Sequence, residues 1–396
     1  MLSPEFDAKI GQISKQYKGI KRFKLTTMLW VCQSILVARS VCLQKIAQDN
    51  AHIGQEEQRY RQRLGKLRRF FLTGLTEELL AGVFLYIVSL LPDVADADLV
   101  IDRTNWQLGT RKYNFLTLGV LYKDCFIPLV WEELGYKGNS TNKQQIDLID
   151  KLIEGWSLSG RPLPRFCIKA DREFINGNWI VQLEKRNIRY VIRVKENLRY
   201  PMWKNGTINH KSYHLAKYRR YMQRYHLATI EVVVAAEVIA NLVIVPNDTK
   251  QPNVKDKDTF VYLLTNIEQL HVAAQQYRLR WKIECCFKHL KTNGFQLESM
   301  GLQQKHQVQL LFGCMVLVYA LAVHAGIIIT TQSPTKLIQY SNKQHSAAYS
   351  TFFIGTTALK TITTNLVQFI DTLCYFLDHN NSPNDTEIYK KLINSF

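Results

Sequence analysis

Hydrophobic and polar positions change period along the chain, and the changes mark its regions. Up to about residue 90 the pattern is helical: an apolar segment at 28–41, a short helix at 43–47, and a polar helix at 55–72. From 95 to 197 short apolar runs of strand length alternate with helical periodicity. Strands are predicted at 98–102, 115–120, 126–131, 166–171 and 189–194, and helices at 141–156 and 179–186. The first and fourth of these strands each end on a carboxylate, Asp102 and Asp171. Residues 198–262 break the alternation and look inserted, with β-rich runs at 229–234 and 242–245 and a strand at 260–264. A helix at 270–291 follows and stops at Thr292-Asn293-Gly294. Residues 310–329 carry no Lys, Arg, Asp or Glu. That length could span a bilayer, but a buried core helix is the preferred reading, so no membrane partner is expected.

Three strands, a helix, a strand, a helix and a strand is the order of a ribonuclease-H-like mixed sheet. The fold class is therefore α/β, with a β-rich insertion and helical regions at either end. The predicted division is 1–90, a helical DNA-binding region; 91–197 and 265–330, two parts of a catalytic core; 198–264, the insertion; and 331–396, a helical C-terminal region and plausible dimer interface.

Charge adds a partner. The chain has 396 residues, with 51 Lys+Arg against 33 Asp+Glu, a net +18, which points to a polyanion. Apolar residues make up 46% of the chain, enough for a large core, so wholesale disorder is excluded. The excess is concentrated. Arg59, Arg61, Arg63, Lys66, Arg68 and Arg69 lie in a stretch without an acid, and short helices leading into a basic one resemble a helix-turn-helix unit. Between Arg199 and His226 seven more cations interleave with six aromatic residues, which suits either a nucleic-acid surface or an exposed ribbon with cross-strand aromatic pairs. Eight dispersed cysteines read as reduced thiols, and the N-terminus has no basic segment leading into an apolar run, so a cytoplasmic location is expected.

The helix at 270–291 carries the chemistry. At about 100° per residue, Tyr277, Arg280, Glu284, Lys288 and Lys291 share one stripe of about 80°, while Leu279, Ile283, Cys286, Phe287 and Leu290 form the core face. An i,i+4 salt-bridge ladder is the plain explanation of that stripe. The functional one is a lone carboxylate flanked by cations, completing with Asp102 and Asp171 an oxygen-only site for Mg²⁺. Asp98 is a rival for Asp102, and Glu173 a near neighbour of Asp171. His289 reads as a surface or DNA-facing residue rather than a ligand.

Tyr277-x2-Arg280-x3-Glu284-x6-Lys291 resembles the Y-R-E-K motif of DDE transposases of the insertion-sequence-4 family, and the resemblance covers most of the chain. It implies a ribonuclease-H-like core in which Asp102, Asp171 and Glu284 bind two Mg²⁺ or Mn²⁺ ions. It also implies that Tyr277, Arg280, Lys288 and Lys291 contact transposon-end DNA. The expected activity is cleavage of insertion-sequence ends and their joining to target DNA, by a synaptic homodimer in a bacterial nucleoid. An inactive DNA-binding remnant is the alternative. Arg103 departs from the family, whose members tend to have a small polar residue directly after the first Asp. Trp203 is a base-stacking candidate from position only.

Overall fold

The computed structural model describes residues 4–15, 20–48, 60–73, 76–235, 238–247, 259–267, 270–333, 349–378 and 386–395. Five helices come first: α1 (Pro4–Ser14), α2 (Arg22–Ala38), α3 (Leu43–Gln48), α4 (Tyr60–Phe71) and α5 (Thr76–Ser89). The mixed region follows as β1 (Asp96–Leu108), β2 (Arg111–Tyr122), β3 (Cys125–Glu133), α6 (Asn142–Leu158), β4 (Arg165–Ala170), α7 (Gly177–Lys185) and β5 (Arg189–Val194). Then come β6 (Arg199–Lys204), β7 (Thr207–His214), α8 (Leu215–Arg224), β8 (Thr229–Ala235), β9 (Val238–Pro246) and β10 (Phe260–Thr265). The chain continues as α9 (Leu270–Arg278), α10 (Trp281–Lys288), α11 (Lys305–Gln332), α12 (Thr351–Ile362), α13 (Leu366–Asp378) and α14 (Glu387–Asn394).

The order of three strands, helix, strand, helix, strand is as the periodicity predicts. Local chemistry sets several boundaries. Thr141 caps α6 through a capping box with Gln144, and the Asn176 side chain accepts from Asn178 N at the start of α7. Of the basic helix predicted at 55–72, residues 55–59 lie outside the described residues. Its remainder is α4, whose Leu67, Phe70 and Phe71 are buried while Arg61, Arg68 and Arg69 are exposed. Lys66 is turned inward over the Phe23 and Trp30 rings, at 5.6 and 5.4 Å.

All ten strands form one mixed sheet in the order β3-β2-β1-β4-β5-β10-β9-β8-β6-β7. The centre is parallel (β1 with β4, β4 with β5), and β2, β3 and β10 join it antiparallel. Two expectations change here. The strand predicted to end on Asp102 runs on to Leu108, because β1 stays paired with β2 after it has parted from β4. Asp102 therefore lies mid-strand, whereas Asp171 sits one residue past β4. The inserted segment extends the same sheet through β10, β9, β8, β6 and β7, and it contains a helix, α8, that the pattern did not predict.

The apolar run at 310–329 lies within α11, buried among α2, α5, α12 and β3. The core-helix reading expects this burial. The approach of α12 to α11 requires glycine: a Cβ on Gly355 would fall 1.7 Å from the Ala322 carbonyl oxygen, and one on Gly326 2.0 Å from that of Thr351.

Candidate active site

Along β1, Asp98, Val100 and Asp102 alternate onto one face of the sheet, and Arg103 turns to the other. On β4, Cys167 shares an apolar cluster with Val191 of β5, Val243 of β9, Leu263 of β10 and Ala273 of α9, so α9 lies across that face. This packing carries Tyr277 and the segment after it over the middle of β1 and the end of β4.

The helix predicted over 270–291 is interrupted at Leu279 and Arg280. Bonds there tighten to i→i+3: Arg280 N donates to Tyr277 O at 3.0 Å, and Ile283 N to Arg280 O at 3.1 Å. A second departure follows α10, where His289–Asn293 form a π-helical turn. The evenly wound stripe is thus broken at both ends of α10.

Arg280 is the hub. Its Nη1 lies 2.8 Å from Asp102 Oδ2, and its Nη2 lies 2.5 Å from Glu284 Oε1. Tyr277 donates its hydroxyl to Asp171 Oδ1 at 3.3 Å. Each aspartate also accepts from the amide that follows it: Arg103 N to Asp102 at 2.7 Å and Arg172 N to Asp171 at 2.8 Å. Asp102, Asp171 and Glu284 therefore come together from β1, the turn after β4 and α10, around one arginine and one tyrosine.

Electrostatics follows from burial. Burial pushes the Asp102 carboxyl up to about 6, and Arg280 offsets only part of that effect. Burial likewise raises the Tyr277 phenol to about 12, helped by the Asp171 charge. Burial works against the Arg280 guanidinium, but Tyr277, Asp102, Asp171 and Glu284 outweigh it, so its charge is held more firmly than usual.

Lys291 is not part of this network: its Nζ donates to the Asn105 carbonyl and lies 5.7 Å over the Trp106 ring. Burial lowers its pKa. Lys288 is exposed on α10. The ladder explanation is met for the Arg280–Glu284 pair. Asp98 is engaged elsewhere, 2.6 Å from the fully buried Lys169. His289 is half-buried and stacks on Phe352 with ring centroids 4.6 Å apart. In the inserted segment, Tyr213 of β7 and Tyr218 of α8 meet edge-to-face, and Lys217 and Arg219 of α8 lie over Tyr213 and Phe260. These particular aromatics serve the ribbon's own packing.

The donor set suits a hard divalent cation, since all three acids offer only oxygen and Asp102 is desolvated. As placed, however, the carboxylates are held by Arg280 and Tyr277. Among the described residues no three His, Cys, Asp or Glu are arranged to hold one ion as they stand. Sequence reasoning passed over one feature beside the site: Arg103 and Glu173, noted only as neighbours of the aspartates, form a two-pronged ion pair at 2.7 and 2.6 Å. Opposite charges following two candidate ligands were the available signal.

Residues 96–321, more than half of the chain, match the family described as the transposase DDE domain. The chain belongs to the DDE transposase family. Asp102, Asp171, Tyr277, Arg280 and Glu284 all fall within the matched span of this transposase-family chain. It is also similar to the piggyBac transposase solved by cryo-EM as a synaptic complex with hairpin DNA, at 10% identity and a TM-score of 0.45. That likeness covers 98% of this chain and 81% of the other. No curated protein matches the chain.

Proposed function

We propose that the protein is a DNA transposase of the insertion-sequence-4 type, with a ribonuclease-H-like core that cuts element ends and joins them to target DNA. The observation that carries this reading is the meeting of Asp102, Asp171 and Glu284 around Arg280 and Tyr277, within a chain of the DDE transposase family. The three acids would hold two Mg²⁺ or Mn²⁺ ions, which when bound supply activation of the attacking oxygen and stabilisation of the leaving one. Asp102 must shed its proton to take part. Tyr277 orients Asp171 through its hydroxyl. Arg280, balanced between two carboxylates, is released toward a phosphate once their charge is met otherwise. Exposed Lys288 extends the cationic side of the site toward the DNA backbone, and Lys291 would reach a phosphate only by leaving the Asn105 carbonyl.

In the same proposal residues 1–90 bind DNA, 91–197 and 265–330 form the core, and 198–264 handle DNA ends. Residues 331–396 join two copies in the synaptic complex, and the setting is the bacterial cytoplasm at the nucleoid. The test is incubation of the full chain with DNA carrying its flanking element ends, with and without Mg²⁺, beside Glu284→Gln. The expected result is metal-dependent cutting at the ends that the variant loses while it still binds DNA. Binding without cutting in every divalent metal would identify an inactive remnant. Cutting that survives in Glu284→Gln would show that the wrong acid was chosen.

A further inference from the structure

The parallel ladder between β1 and β4 ends with the pair Ile101 and Ala170, one residue before each aspartate. From there the strands part: β1 continues against β2, and the chain after β4 turns away. The ladder brings Asp102 and Asp171 side by side but stops short of them, so the spacing of their carboxylates also depends on contacts beyond it. One such contact ties residue 103 to residue 173.

The tie is a guanidinium with every donor used. Arg103 Nε donates to Glu173 Oε1 at 2.7 Å, and Nη2 donates to Glu173 Oε2 at 2.6 Å and to Asn139 Oδ1 at 2.9 Å. Nη1 donates to Asn114 Oδ1 at 3.2 Å and to the Gly138 carbonyl. Asn114, only 2% exposed, is locked in turn by donating to the Tyr136 and Gly138 carbonyls at 3.0 and 2.9 Å. Five N–H groups thus join β1, β2, the loop after β3 and the turn after β4. Lysine, with three donors on one nitrogen, cannot reproduce this fork. Because side chains alternate along a strand, Arg103 reaches away from the face that carries Asp102, so the tie consumes none of the site's own groups.

We infer that the Arg103–Glu173 pair is a positioning clamp that sets the spacing of Asp102 and Asp171 for divalent-metal binding. The inference rests on the proposed assignment of those two aspartates. Neither clamp residue touches metal or DNA; each acts through its neighbour, Arg103 also by its own amide on Asp102 Oδ1. Partners that orient ligands in this way are typically worth about 10- to 100-fold in metal affinity or activity.

The test is Mn²⁺ titration of the full chain by calorimetry or electron paramagnetic resonance, with thermal midpoints and metal-free DNA-end affinity measured alongside. The variants are Glu173→Gln, Arg103→Lys and Asp171→Asn. A clamp predicts Mn²⁺ affinity about 10- to 100-fold weaker in both Glu173→Gln and Arg103→Lys, with metal-free DNA affinity unchanged. Glu173→Gln preserves shape and carries the test should Arg103→Lys fold poorly. Loss of thermal stability with wild-type Mn²⁺ affinity would overturn the clamp and leave an ordinary stabilising ion pair. If Asp171→Asn abolishes Mn²⁺ binding while Glu173→Gln does not alter it, the clamp fails and the site assignment stands. Wild-type Mn²⁺ binding in Asp171→Asn would remove the site assignment, and the clamp with it.

Discussion

Arg280 lies between Asp102 and Glu284, so if these acids hold a divalent ion as proposed, metal loading is tied to proton loading at Asp102. The folded pKa of Asp102 is raised to about 6. Its protonated form therefore favours the fold below the ordinary aspartate range, and that contribution is lost as pH rises through about 6. A divalent ion needs the ionised form, so metal should stabilise the protein more at pH 7.5 than at pH 5. The measurement is the rise in thermal midpoint on adding Mn²⁺ at the two pH values, beside Asp102→Asn, which should show little rise at either. Equal shifts at both pH values in the wild type would remove Asp102 from the metal site. At this scale the spacing of Tyr277, Arg280 and Glu284 foretold that they would be neighbours, and they do lie beside Asp102 and Asp171. The Arg103–Glu173 pair was not, because nothing in either local pattern says that residues 70 positions apart will meet.

Among the elements, the segment bearing Tyr277, Arg280 and Glu284 shows where periodicity misleads. A wheel drawn at a constant 100° assumes one uninterrupted helix. The tightened turn at Leu279–Arg280 and the π-helical turn at His289–Asn293 change the winding, so Lys291 reaches β1 rather than the carboxylates. The strands of the mixed region were legible because each contains a short apolar run. The continuation of β1 beyond Asp102 was hidden because Arg103, Thr104 and Asn105 interrupt the apolar run, and pairing with β2 overrides that weak local preference. One side of α11 is buried by its close contact with α12. Gly355→Ala should separate the two helices and cost about 3 kcal/mol, at the upper end for overpacking. Urea unfolding would check this; a midpoint unchanged from wild type would mean that the helices part freely.

For the whole molecule, a net +18 makes salt the natural variable. If α4 lies on DNA, replacing its exposed Arg61, Arg68 and Arg69 with alanine should flatten the dependence of log affinity on log salt. Each lost phosphate contact should change that slope by about 0.9. A titration series from low to high salt would measure it, and an unaltered slope would mean that this helix faces away from the duplex. The overall class was legible from charge and alternation. The single ten-stranded sheet was not, because strand order across an insertion depends on pairings between distant segments. That arrangement also gives the protein a timetable. Asp102 leaves the ribosome 182 residues before Glu284, which at ordinary rates of synthesis is roughly 10 to 40 seconds. For the later part of that interval, once Asp171 has followed, a nascent chain carries its basic N-terminal segment and both aspartates but not Glu284. Synthesis that stopped there would leave the N-terminal helices without α11, on which α2 and α5 pack, and the two aspartates without their third acid.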